Sequence, residues 1–245
     1  MHKGKIIILR AVVILILLFN GVLNAQTNNQ KISSIQAREV LDKIYGLDQR
    51  LVSGRSYAGE AIGSIIGHPY WIDSSWKIGN VTINGVLFPN LLLKFDISEY
   101  DLVLNTSNLN NQSKQLCLNK NAISEFFLGD RKFIRFPGND SLSKVEFCEV
   151  CAEGRLSYLV TRSKSMILSG GSSTDFKYRE YIGNYLLFEG SLIKYKNKKT
   201  LYKLFPELKN ELRNFIYQNA ITITRKNTVN RERLVEYCNL LIDQS

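Results

Sequence analysis

Histidine is scarce in this chain: 245 residues contain two, His2 and His68. A site built on several histidines is thereby excluded, and a Ser-His-Asp or Cys-His arrangement would have to use His68. Proline is almost as rare, with 4 residues beside 16 glycines, so the chain is neither collagen-like nor of low complexity. Four cysteines at this length do not make a disulfide scaffold. The motifs G-x-S-x-G, Walker A, G-x-G-x-x-G and H-E-x-x-H are all absent. What is present is 44% hydrophobic and 11% aromatic residues, ample for the core of one folded domain.

Long apolar runs are confined to the N-terminus. Lys3 and Lys5 precede Ile6–Phe19, which is apolar apart from Arg10, and Leu23-Asn24-Ala25 ends on a small residue. This is the pattern of a secretory signal cleaved after Ala25. As a retained anchor it would offer only Ala11–Phe19 uninterrupted, against the roughly 20 residues that span a bilayer. The expectation is an exported protein, periplasmic or secreted, with residues 1–25 as signal peptide and 26–245 as a single domain without a transmembrane segment in the mature chain. Cleavage removes Lys3, Lys5 and Arg10 and no acid, which lowers the net charge from +10 to +7. The remainder is uneven: residues 26–175 carry a net +1 and residues 176–245 a net +6. In an exported protein a basic C-terminal part suits an anionic glycan or lipid surface better than nucleic acid.

Along the mature chain, Ser33-Ser34-Ile35-Gln36 reads as a capping box, and Ala37, Val40, Leu41, Ile44 and Tyr45 follow at helical spacing up to Gly46. A helix is predicted over 33–46. Residues 47–79 are irregular, with Gly59, Gly63 and Gly67 ahead of His68-Pro69-Tyr70-Trp71 and Trp76. From 80 to 196 short strands alternate with turn signals: Asn84-Gly85, Gly129-Asp130, Glu153-Gly154 and Glu189-Gly190 each sit between apolar runs. These runs are too short for an outer-membrane barrel, and the chain closes on helices. Residues 199–243 read as helical, with a stripe of Leu208, Leu212, Phe215 and Ile216 and a final helix capped by Asn230. The predicted fold class is α+β: an N-terminal helix, a mainly antiparallel sheet or roll built of hairpins, and C-terminal helices packed on it.

Four groups of residues are candidates for function. His68 precedes a proline in a glycine-rich loop, a suitable place for a base. Asp96, Glu99 and Asp101 cluster at one strand link and could serve as paired carboxylates, although Asp and Ser side chains at such links ordinarily bond the turn backbone. Tyr70, Trp71 and Trp76 could stack on a sugar or plug the end of a sheet. Lys194, Lys196, Lys198, Lys199 and Lys203, interleaved with Tyr195 and Tyr202, could meet a polyanion. Cys148-Glu149-Val150-Cys151 lies in a strand-like run where positions three apart face opposite ways, which speaks for buried small hydrophobes over a redox or zinc pair. No metal or cofactor is expected.

The strings GHPYW, NVTINGVLFPNLLLKFDISEYDLVLN, KVEFCEVCAEGRLSYLVTR and YLLFEGSLIKYKNKKTLYKLFPELKNELRNFI together resemble a family of uncharacterised secreted proteins of Gram-negative bacteria, over roughly residues 47–243. The resemblance implies export and carries over no activity and no site residue. The expected function is that of a non-catalytic envelope or secreted protein that binds or supports another envelope or extracellular component. Its alternatives are a hydrolase acting on envelope glycan or peptide through His68 or the acid cluster, and attachment to an anionic surface through the basic C-terminal part.

Overall fold

Alternating apolar and polar residues separated by tight turns pair into one sheet of 12 strands in the structure, a computed structural model that describes residues 48–59, 65–107, 113–136, 147–169, 176–224 and 226–244. The strands are β1 (Arg55–Ser56), β2 (Ile65–Ile66), β3 (Lys77–Ile83), β4 (Val86–Asp96), β5 (Asp101–Ser107), β6 (Ser113–Cys117), β7 (Ile123–Leu128), β8 (Arg131–Arg135), β9 (Phe147–Ala152), β10 (Leu156–Leu168), β11 (Phe176–Phe188) and β12 (Ser191–Lys194). The helices are α1 (Gln49–Val52), α2 (Lys198–Leu204), α3 (Lys209–Gln218) and α4 (Thr228–Ile242). The strands and the three C-terminal helices belong to one compact unit, Arg50–Ser245.

The sheet runs β1-β6-β5-β4-β3-β7-β8-β9-β10-β11-β12. Every pair on this path is antiparallel, and β2 joins β11 in parallel through Phe176↔Ile65 and Lys177↔Ile66. Asn84-Gly85 and Glu189-Gly190 turn two of the hairpins with positive φ at both residues (49° and 77°, 48° and 76°), the geometry that matches strand twist.

The sheet is rolled. Phe95 on β4 and Phe147 on β9 are four strand intervals apart, about 19 Å on a flat sheet, yet their rings lie 6.2 Å apart. Phe126 and Phe133 stack between them at 4.7 Å. This aromatic centre, with Trp71, Val81, Phe88, Leu93 and Leu102, forms one core inside the roll. The seam is closed by main-chain bonds: the Lys164 amide on β10 donates to the Ile97 carbonyl just after β4 (3.1 Å). A second core lies between β9–β12 and the helices, where Tyr158, Val160 and Leu186 meet Leu201, Leu212, Leu234 and Cys238.

The α+β expectation is corrected: the described residues are mostly β, 48% strand against 23% helix, in a mixed sheet. The sequence understated the strands because the end of β10 and the start of β11 are half-exposed. β10 and β11 pair over 13 residues from Leu156↔Phe188 to Leu168↔Phe176, and residues 163–168 and 176–180 lack the apolar alternation that marks a strand. The predicted signal peptide and helix 33–46 lie outside the described residues. The cap of α4 is Asn227, whose side chain accepts from the Asn230 amide, so Asn230 sits in the first turn. Among the described residues no helix is long and apolar enough to cross a membrane.

Candidate functional site

The loop 67–76 lies along the seam of the roll. The Trp71 amide donates to Phe95 (2.8 Å) and the Ile97 amide to Pro69 (3.0 Å), so Tyr70 is bridged to Asp96 as if by a short extra strand. That pairing places His68 and Asp96 on two sides of Tyr70, and each is bound elsewhere. The ammonium of Lys164 donates to the carbonyls of His68 (3.0 Å) and Tyr70 (2.7 Å) and lies 3.4 Å from His68 Nδ1. Burial, and then the neighbouring Lys164 charge, lower the His68 pKa. Burial also lowers Lys164. Asp96 is 3% exposed; its Oδ1 accepts from the Ser98 amide and hydroxyl (2.8 and 2.7 Å) and its Oδ2 from the Tyr57 hydroxyl (2.9 Å).

The other two acids point to separate tasks. Asp101, also 3% exposed, pairs with Arg55 and lies 3.7 Å from Lys120 Nζ. Glu99 is exposed, and its amide closes the Asp96 turn at 3.2 Å. Three acids that are neighbours in sequence thus hold a turn, an ion pair and a solvated corner. They do not form a carboxylate dyad. Trp71 is 5% exposed and meets Phe133 edge-on at 5.1 Å, inside the roll. Tyr70 and Trp76 are half-buried, and Lys94 lies over both rings (4.8 and 4.4 Å), so the cation between them comes from the chain itself.

All four cysteines are buried and free. Cys148 packs with Val150 and Leu159, while Cys151 packs with Leu156 and Tyr158 in the core beneath the helices, so the two thiols of the C-x-x-C belong to opposite faces. Burial pushes Cys148 up to about 12, which keeps it a neutral thiol. Among the described residues no three His, Cys, Asp or Glu are grouped to hold a metal.

The basic segment divides. Lys198, Lys199 and Lys203 are exposed on α2, whose first turn is capped by the Asn197 side chain. Lys194 and Lys196 instead line a cleft of about 440 Å³ at the outer edge of β11, in the interval between β2 and β12. Its floor follows from strand register: Thr161↔Gly183 and Ser163↔Tyr181 are opposed across β10 and β11, and Tyr185 is opposed to Lys194 across β11 and β12. A Cβ at Gly183 would run into Thr161 Oγ1 and lie 2.8 Å from the Tyr185 ring, so these two side chains close over position 183 and only glycine fits beneath them.

Arg231 closes the cleft from the first turn of α4. It is 2% exposed, and its Nε, Nη1 and Nη2 donate to the carbonyls of Thr224 (3.0 Å), Tyr195 (2.8 Å) and Lys196 (3.0 Å), with the guanidinium 4.6 Å from the centre of the Tyr195 ring. A guanidinium has five N–H groups; three are bonded here, and all three to neutral carbonyls. Among the described residues none of Lys194, Lys196 and Arg231 is in an ion pair, and no carboxylate lines the cleft. Sequence reasoning found the two lysines from their density but missed Arg231, because only the fold carries α4 back to the end of β12. No family model, curated protein or solved structure matches the chain.

Proposed function

We propose that the chain is an exported, non-catalytic binding protein that engages an anionic partner through the cleft of Lys194, Lys196 and Arg231. One observation carries this reading: a buried guanidinium and two exposed ammonium groups converge on one hollow with no carboxylate among them. Buried charges are ordinarily paired, and a cationic recess concentrates anions by several kT. A hydrolase using His68, Asp96, Glu99 or Asp101 gains no support from geometry, since the histidine faces a lysine and the two buried acids are each engaged in structural bonds. The export and signal-cleavage expectation rests on the N-terminal residue pattern, and an intact mass starting at Gln26 checks it.

The experiment is equilibrium binding of the mature protein to dextran sulfate, compared with neutral dextran, at two salt concentrations. Binding to the sulfated polymer should weaken steeply as salt rises, and Lys194→Glu with Lys196→Glu should weaken it by tenfold or more. If Lys198→Glu with Lys199→Glu abolishes binding while the cleft pair leaves it unchanged, the cleft is not the site.

A further inference from the structure

We infer that the cleft takes an acidic saccharide unit, with its carboxylate or sulfate seated toward Arg231 and its ring against Tyr181 and Tyr185. The inference rests on the anionic reading above and adds the ligand class. Shape comes first. A lipid surface presents many headgroups to a broad cationic face, whereas here the guanidinium is 2% exposed at the end of a recess. A group reaching it must enter the recess. The volume, about 440 Å³, lies in the roughly 300–1,000 Å³ range of small-ligand sites.

The lining comes second. Besides the three cations it offers the Thr161 and Ser163 hydroxyls and the two tyrosine rings of the same strand face, Tyr181 being 42% exposed. Hydroxyl donors and acceptors beside flat aromatic faces suit a polyhydroxylated ring more than a bare inorganic anion. Two of the five guanidinium N–H groups of Arg231 are left over by its three carbonyl bonds, and a carboxylate or sulfate oxygen is the strong acceptor for such donors. Lys194 and Lys196 are exposed at the rim, where they would meet the next acidic residue of a chain.

The test is calorimetric titration of the mature protein with an oligogalacturonate, its carboxyl-reduced neutral counterpart, sodium sulfate, and vesicles containing phosphatidylglycerol. Saturable binding of the oligogalacturonate, with at least tenfold weaker binding of the neutral counterpart, is expected. Tyr181→Ala should weaken the oligogalacturonate at least fivefold without changing any response to sulfate, and Arg231→Lys should weaken it at least tenfold. Because Arg231 also joins three carbonyls, circular dichroism of that variant accompanies the titration, and Lys194→Ala with Lys196→Ala provides a cleft variant on exposed positions. Cleft-dependent binding to vesicles or sulfate without binding to the oligosaccharide would overturn the saccharide assignment and leave the anionic reading standing. Loss of response to every anion would overturn both.

Discussion

Glu149 and Arg231 are both buried charges, and they are satisfied in different ways. Glu149, 5% exposed on β9, lies between Arg131 (3.7 Å) and Arg162 (3.3 Å), and the chain of charges continues to Glu232 on α4 and Glu180 on β11. Arg231 has, among the described residues, three carbonyls and the face of the Tyr195 ring. Removing Glu149 from the first arrangement would leave Arg131 with Glu232 and Arg162 with Glu180, while the second holds a buried cation that has no carboxylate partner among the described residues. The thiols supply a pH test at the same scale. Burial raises Cys117 to about 11, helped by Asp101, and raises Cys148 and Cys238 to about 12, from an ordinary value of 9.0. A group whose folded pKa is raised contributes stability that is complete below its unfolded pKa and is lost as pH rises through the folded value. Melting temperatures taken from pH 8 to 11.5 should therefore fall above pH 9, and a Cys148→Val, Cys238→Val double variant should fall less steeply than the parent. The native thiols should also react slowly with a disulfide reagent at pH 8.

At the scale of elements, an apolar stripe and one amide help to hold the helices to the sheet, beside the Arg231 and Glu232 contacts of α4. In the stripe, Leu212 is fully buried and Leu208, Phe215 and Ile216 pack partly buried on the same core, with Phe215 stacked on Tyr237 of α4 at 3.9 Å. The amide is Asn239, which both donates to and accepts from the Leu156 backbone at 2.9 Å and so completes the first pair of β10 from within α4. α3 has 10 residues, too few to persist alone in water, so its stability comes from this packing. Leu212→Asp should cost more than the roughly 2–5 kcal/mol of a Leu→Ala cavity, because it adds an unpaired buried charge to the lost contact. Lys198→Glu with Lys199→Glu, at exposed positions in the first turn of α2, should leave stability within about 0.5 kcal/mol. Urea unfolding of the two variants checks both outcomes.

Across the whole molecule, the described residues build two large cores and a smaller cluster around Cys148, Val150 and Leu159 on one continuous sheet. β3–β8 with Phe147 of β9 roll around aromatic side chains that Leu51 of α1 joins, and β9–β12 need α2, α3 and α4 to cover Tyr158, Val160 and Leu186. Truncation after Lys196 would expose that apolar face, and it would also remove Arg231 from the cleft and Glu232 from the charge chain. The expected result is a chain that is insoluble or melts without cooperativity in differential scanning fluorimetry. A soluble fragment with an unchanged melting temperature would make the helices a separate module.

Local information in the sequence was enough for the turns and for the helical stripes. Asn84-Gly85 and Glu189-Gly190 need positive φ wherever they occur in a hairpin, and Leu212 and Leu234 recur at helical spacing before any partner is known. The full strand content was not legible, because residues 163–168 of β10 and 176–180 of β11 are placed by cross-strand pairing and not by an apolar face. Neither was the site. Asp96, Glu99 and Asp101 look like one acidic group in sequence, and tertiary contacts with Tyr57, Arg55 and Lys120 give them separate partners. Lys194 and Lys196 alternate along the chain like any solvated strand end. Only the return of α4, which brings Arg231 to the carbonyls of Tyr195 and Lys196, gathers three cations around one hollow, since charge convergence depends on distances between elements that no local pattern encodes.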